Sequence, residues 1–454
     1  MPHHPARTRC IDRCRTAIAA ALAALALAGC GGGPPPGWTG PFPLTASAGT
    51  ATDLRMAWAG GKRALMVWET KEAGIRRVQA LWFSAIGPEG PTTLDTPSPG
   101  VPRTPDVAVD AQGRAVVVWL QAQGGADRVW ARRFDPATGW APAEVLDSLV
   151  VGITYAPRVA VHRNGSALVA WLRESEAGAQ VMSRAFLPGQ GWGPERELDT
   201  SPGAAISPAV ALDGQGRGVV VWPQSNTEFS GPTPLWSRDL DLATGAGTTL
   251  RVEPIGLNAT LPQLVPLDDG SVLTAWRTAE PVLTPNELLA TSRFDPTGGW
   301  SLPLVPSGSS NVTAVSAISL AAGRAGASVV MWSEARGGRH RLALRRLVGA
   351  RLQDSTPLVV ADEPDTVRLV PQVTLDASGR AIWIWQQGPA SSSALWASDQ
   401  VVGAAPATPV RLDQGPSAGV SSAGLALGPG GEALAAWTQN SASGTRIWAA
   451  WRHP

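Results

Sequence analysis

The chain has 454 residues, with 37 Lys and Arg set against 36 Asp and Glu for a formal net charge of +1. Charged residues make up only 16% of it, so there is no basic stripe of the kind that nucleic-acid binding needs. The 50 glycines and 40 prolines lie between apolar runs, which points to many turns rather than disorder.

The N-terminus opens with a basic segment carrying Arg7, Arg9, Arg13 and Arg15. Residues 16–29, TAIAAALAALALAG, form a 14-residue apolar run. That run is too short to span a bilayer and has the length of a signal-peptide core. It ends in Leu27-Ala28-Gly29-Cys30, and the ordered set of basic region, apolar core and four-residue box resembles a bacterial lipoprotein signal. The resemblance implies removal of residues 1–29 and a lipid on Cys30, hence export and a membrane anchor. Gly31 rather than an aspartate follows the cysteine, which by family analogy implies the outer membrane. Cys10 and Cys14 leave with the signal, so the mature chain keeps Cys30 alone and forms no internal disulfide. Residues 30–37 are the lipidated cysteine and a Gly/Pro spacer, poor in side chains that could pack.

One pattern organises the remainder. PDVAVDAQGRAVVVW at 105–119 recurs as PRVAVHRNGSALVAW at 157–171, PAVALDGQGRGVVVW at 208–222 and PQVTLDASGRAIWIW at 371–385. Further copies end the same way, giving eight anchors: Trp68, Trp119, Trp171, Trp222, Trp276, Trp332, Trp385 and Trp437. Their separations of 51–56 residues are the period of a propeller or similar array. Within one unit, VAVD reads as a buried strand, DAQG as a turn, RAVVVW as a second strand, RVWARRF as a third and GWAPAEVL as a polar outer fourth. A glycine six residues before the anchor in repeats 2 to 8, Gly113 through Gly431, marks one backbone requirement repeated. The tryptophans are read as wedges between units rather than ligand platforms.

Trp38 opens a segment, GWTGPFPLTAS, that resembles the fourth strands at 139–147, 191–199 and 299–307. The last repeat stops after its third strand, TRIWAAWRHP. The two ends should therefore pair, predicting an all-β, eight-bladed propeller of four-stranded blades. Residues 38–454 would form one domain, expected as a monomer. Two smaller propellers in tandem are the alternative, but no linker separates any two repeats.

Two positional sets are expected on the face where repeats join. The residue two after each anchor is polar throughout: Thr70, Gln121, Arg173, Gln224, Thr278, Glu334, Gln387 and Gln439. The residues opening the first strands, Arg55, Asp106, Arg158, Ala209, Gln263, Ser316, Gln372 and Gly424, should ring the mouth of a channel. The loops after the second strand are longest in repeats 4 and 5, at 224–234 and 277–287, which makes Gln224, Glu228, Phe229, Arg277 and Glu280 candidate contact residues. Tyr155, the only tyrosine, lies beside Arg158 and Asp106 in this scheme.

The turn D-x-x-G followed by a strand and Trp loosely resembles the Asp-box of sialidases, propellers that use a tyrosine nucleophile, an arginine cluster and an acid. Here the spacing to Trp is longer, the serine is missing, and sialidases have six blades, so Tyr155 reads first as a rim-packing residue. Asp268-Asp269-Gly270 reads as a turn before it reads as a calcium loop. No metal-ligand spacing, phosphate loop or nucleophile motif is present, and no cofactor or metal is expected. These features are read as a non-enzymatic envelope scaffold that binds a protein or glycan partner. A carbohydrate-active enzyme with acids at the channel mouth and a multivalent lectin stand as alternatives.

Overall fold

A computed structural model describes residues 37–45, 49–60, 63–96, 100–148, 152–176, 178–199, 203–225, 232–253, 257–279, 287–308, 312–364, 368–389, 392–413, 419–441 and 444–454. Cys30 lies outside these residues, as do Glu228, Phe229 and Glu280. Secondary structure among the described residues is entirely β.

Each repeat is an antiparallel sheet built outward from its first strand. In repeat 2, Arg103–Val109 pairs with Ala115–Gln123, which pairs with Ala126–Asp135, and that strand carries Gly139–Trp140 and Glu144–Val145 at the outer edge. Repeats 2 to 7 are separate sheets, whereas repeats 8 and 1 share a single parallel link, Thr50 to Thr445. First strands of consecutive repeats pack side by side, and Val420–Leu427 of repeat 8 packs against Thr50–Ala59 of repeat 1.

The turn between the first two strands shows why the glycine recurs. Asp110 Oδ1 accepts the amides of Gln112 and Arg114, both at 2.9 Å, and Gly113 donates to the Asp110 carbonyl at 3.0 Å. That geometry needs the left-handed conformation: Gly113 has φ +83°, and its six counterparts through Gly431 are all positive. In repeat 5 Asp269 accepts the Ser271 amide within the turn, and Asp268 accepts the Ala325 and Gly326 amides of the next repeat.

The expected pairing of the chain ends is present. Trp38 lies opposite Arg452 and Phe42 opposite Ala449. Thr39 donates its amide to the Trp451 carbonyl at 2.7 Å, and Thr39 Oγ1 accepts the Trp451 amide at 3.0 Å. Residues at the two ends of the sequence thus share one sheet, which leaves no free edge on that third strand.

All eight anchors are at most 2% exposed. Each packs between its own repeat and a neighbour; Trp119, for example, shares a cluster with Leu65, Val67 and Trp82 of repeat 1. Burial of about 150–250 Å² per ring makes these wedges a main source of cohesion between sheets.

In repeats 2, 4, 6, 7 and 8 the indole N–H is satisfied by the polar residue two positions on. Trp119, Trp222, Trp385 and Trp437 donate to the side-chain oxygens of Gln121, Gln224, Gln387 and Gln439 at 2.8–3.1 Å, and Trp332 donates to Glu334 at 2.6 Å. Repeats 3 and 5 break the pattern: Trp171 Nε1 is buried without a partner, with Arg173 two positions on, and in repeat 5 Trp276 Nε1 and Thr278 Oγ1 are both buried without one. Thr278→Gln should restore the missing acceptor and raise stability by about 1 kcal/mol. Urea unfolding of the variant checks this; no gain would mean that the repeat 5 backbone cannot seat the longer side chain.

Candidate functional site on the inner strands

The inner strands carry a local irregularity that sets the depth of the site. Asp53, Thr104, Ala156, Ser207 and Leu261 have φ between +45° and +54°, in the first strands of repeats 1 to 5 or at their entry. Four of them precede a proline, Pro105, Pro157, Pro208 or Pro262, whose ring removes a ladder donor. The register slips between Thr52 and Arg55, Arg103 and Asp106, Tyr155 and Arg158, and Thr260 and Gln263. Non-glycine residues pay for such conformations with strain, of the kind that clusters at binding sites.

Beyond each bulge comes the residue expected to ring the channel. Arg55, Asp106, Arg158, Ala209, Gln263, Gln372 and Gly424 each pair with the residue just before the anchor. In repeat 6 that place belongs to Ser319, opposite Met331, and not to Ser316 as the sequence led us to expect. The register slips of this strand, between Val312 and Ala314 and between Val315 and Ala317, lie upstream of Ser319 and do not move it. Ser319 stands 13 residues before Trp332, the spacing that the other seven keep to their anchors. The set lies within the strands, past the bulges, rather than at the outermost rim.

Charge in this set is confined to three consecutive repeats. Asp106 Oδ2 accepts the Val159 amide of the next first strand at 3.0 Å. Ser319 Oγ makes the same link to Val373, also at 3.0 Å. Burial pushes the Asp106 carboxyl above its usual range, opposed by the nearby Arg158 charge, the Val159 amide and the Arg55 charge. Arg158 donates to the Pro157 carbonyl at 2.9 Å. Arg55 is exposed and makes no hydrogen bond or ion pair among the described residues.

Tyr155 sits at the repeat 3 bulge, its ring packed between repeats 3 and 4 and its hydroxyl donating to Glu174 at 3.2 Å. Burial, and then the Glu174 carboxylate, push its pKa up to about 12. It is therefore a neutral hydrogen-bonding group across the ordinary pH range. The packing role read from the sequence is the one the ring performs.

Several candidates do other work. Gln224 is 1% exposed and holds Trp222 Nε1 at 2.8 Å, Asp199 Oδ2 at 3.0 Å and the Gly203 carbonyl at 2.9 Å. Gln121 spans Trp119 and the Thr96 carbonyl in the same way. The expectation that the position two after the anchor is a surface ring is thus corrected: in these repeats it fastens the inter-repeat loop to the buried indole. Arg277 is also committed, to Thr260 Oγ1 at 2.6 Å and Glu287 at 3.3 Å. Gln263 and Gln372 stay on the inner strands with their partners in register.

A second periodic set went unnoticed in the sequence. Asp95, Asp199 and Asp413 follow a leucine after the fourth strand and accept the amides of Val78, Val181 and Leu395 at 2.6–2.8 Å. Asp147 does the same for Val129, and Ser307 for Leu289. The recurring Leu-Asp pair, close to 52 residues apart, was the available signal.

Cavities occur at the opposite end, among the tight turns. One of about 370 Å³ is lined by residues of several repeats, among them Trp58, Ala111, Arg324 and Asp376. Clefts of about 330 Å³ and 660 Å³ separate repeats 2 and 3 and repeats 6 and 7. Among the described residues no three His, Cys, Asp or Glu side chains are grouped to hold a metal, and no helix is long and apolar enough to cross a membrane.

No family model and no curated protein matches the chain. Solved structures do. A polysaccharide lyase, Uly1, is 8% identical, with 95% of this chain and 94% of that one covered at a TM-score of 0.49. An ulvan lyase of polysaccharide lyase family PL25 is 8% identical over 79% and 90% of the two chains, TM-score 0.45. The six-bladed fucose-binding lectin of Aleuria aurantia is 11% identical over 69% and 96%, TM-score 0.37. These comparisons correct one expectation. The lack of a catalytic motif was read as the absence of enzymatic activity, yet proteins named as lyases stand among the matches. That reading is withdrawn.

Proposed function

We propose that this chain is an exported, lipid-anchored, eight-bladed β-propeller that recognises a glycan at the inner-strand site formed by Arg55, Asp106, Arg158 and Tyr155. Support for eight blades comes from eight repeats, each with its own first-to-third strand ladder, and from packing of repeat 8 against repeat 1. Support for the anchor is the Leu27–Cys30 box, with a short spacer before the first described strand at Gly37.

The observation that carries the reading is the grouping of charge on repeats 1 to 3, while the remaining ring positions are Ala209, Gln263, Ser319, Gln372 and Gly424. Two guanidiniums and a carboxyl offer donors and an acceptor within a small-residue surround. Sugar hydroxyls are recognised by such convergent polar groups. Gln263, between Ala209 and Ser319, and Gln372, next after Ser319, extend the polar surface.

A second reading is favoured by Asp106. A carboxyl whose affinity for protons is raised by burial can donate one to a glycosidic oxygen, which would make the site catalytic. One experiment addresses both. The full chain, purified in detergent, is passed over an oligosaccharide array and the glycans are then analysed for new reducing ends. Retention of a defined glycan set, lost on Asp106→Ala, is expected. Retention without cleavage leaves recognition alone, cleavage supports the second reading, and no retention of any glycan removes the proposal.

A further inference from the structure

We infer that the ligand carries an oxyanion, a carboxylate or a sulfate, and that the guanidiniums of Arg55 and Arg158 bind it. This rests on the inner-strand site proposed above and specifies what that site takes.

Most other arginines among the described residues are tied to a carboxylate or a backbone carbonyl. Arg77, Arg114, Arg217, Arg277, Arg380 and Arg411 each pair with a carboxylate within 2.6–3.3 Å. Arg132, Arg184, Arg345 and Arg346 instead donate to backbone carbonyls at 2.7–3.0 Å. Arg55 and Arg158 make no such ion pair among the described residues, although Asp106 is near enough for both charges to act on it. Arg55 offers all five of its N–H donors, and Arg158 has committed a donor only to Pro157. Asp106 makes no ion pair with either among the described residues, and its Oδ2 accepts the Val159 amide across the gap between first strands.

Two cations around one carboxyl leave a positive centre whether or not Asp106 is ionised. The other ring positions bring no charge to offset it. Guanidinium donors bind planar or tetrahedral oxyanions by paired, charge-assisted hydrogen bonds. Asp106, when it holds its proton, becomes a donor to the same anion instead of repelling it. The bulges at Asp53, Thr104 and Ala156 fix the three strands at this level, so little ordering is left for binding to impose.

The test uses matched probes on the full chain in detergent. Acidic oligosaccharides are printed beside counterparts in which the carboxylate is reduced or the sulfate removed. Inorganic sulfate is titrated calorimetrically in parallel, against chloride at equal ionic strength. The acidic member of a pair should bind at least tenfold more tightly, and Arg55→Ala or Arg158→Ala should each remove that tenfold preference. Arg55→Lys and Arg158→Lys should keep part of it, which separates lost charge from lost fold. The favoured member, uronate or sulfated, tells the two oxyanion sources apart. Sulfate binding that vanishes in both alanine variants, with no glycan retained, would support the oxyanion site and remove the glycan reading. Equal binding of acidic and neutral partners, or sulfate binding unchanged in the alanine variants, overturns the inference and leaves glycan recognition standing. Absence of both glycan and sulfate binding overturns the two together.

Discussion

Trp119→Ala is expected to lower the unfolding free energy by about 3–5 kcal/mol, the range for removing a fully buried large aromatic side chain. Trp119 is 0% exposed and stacks on Trp130 at 6.5 Å between ring centroids. It also touches the second strand of repeat 1 through Leu65 and Val67. The loss is more than a cavity. Gln121 would lose its indole donor while still tied to the Thr96 and Gly100 carbonyls of the loop from repeat 1. Urea unfolding of the full chain measures the change. Gln121→Ala provides the comparison, since it keeps the ring but frees the loop, and should cost about 1–3 kcal/mol through the buried groups it strands. A drop below about 1 kcal/mol for Trp119→Ala would mean that the sheets cohere by some route other than their wedges.

Much of this arrangement could be read from residues alone, and the reasons are physical. A tryptophan at a fixed period, with a glycine six residues before it, reports one packing requirement and one positive φ per repeat; both are local and repeat without exception in repeats 2 to 8. Pairing of the chain ends was legible because Gly37-Trp38 copies Gly139-Trp140, Gly191-Trp192 and Gly299-Trp300, which all lie on third strands. Polarity misled where it was read as exposure. Gln121 and Gln224 are polar because a buried indole N–H and loop groups need partners, not because they meet water. A coupled pattern, Trp-x-Gln, was the clue, and its failure at Thr278 has a visible consequence. The repeat 6 position was legible in the spacing, because Ser319 and not Ser316 lies 13 residues before its tryptophan, as in the other seven repeats. The charged residues of the inner site were found, but their depth depends on bulges made by prolines whose effect on pairing is not local to the side chains concerned. The acids that close each fourth strand were missed although periodic, since Leu-Asp is an unremarkable pair until its amide partner is known.

Asp199→Asn is expected to abolish a fall in stability as pH rises through the mildly acidic range. Asp199 is 3% exposed, and burial pushes its carboxyl from an ordinary 3.8 to about 6, against the pull of the Val181 amide. A carboxyl with a raised folded value binds its proton more tightly in the native state than in the unfolded one. Between those two values the native chain therefore carries more protons, and stability drops as they are released. The contribution is fully favourable below about pH 4 and lost above about pH 6, and the shift corresponds to about 3 kcal/mol. The site tolerates the amide, because one oxygen still accepts from Val181 or from Gln224 Nε2, now at 2.8 Å and 3.0 Å. Urea unfolding at a series of pH values should show the variant and the parent within about 1 kcal/mol near pH 4. The variant should then be the more stable by up to about 3 kcal/mol near pH 7. The difference between the two curves isolates this group from every other carboxylate. Parallel curves would show that Asp199 ionises as readily in the fold as outside it, and that Gln224 with the Val181 amide fully offsets the cost of its burial.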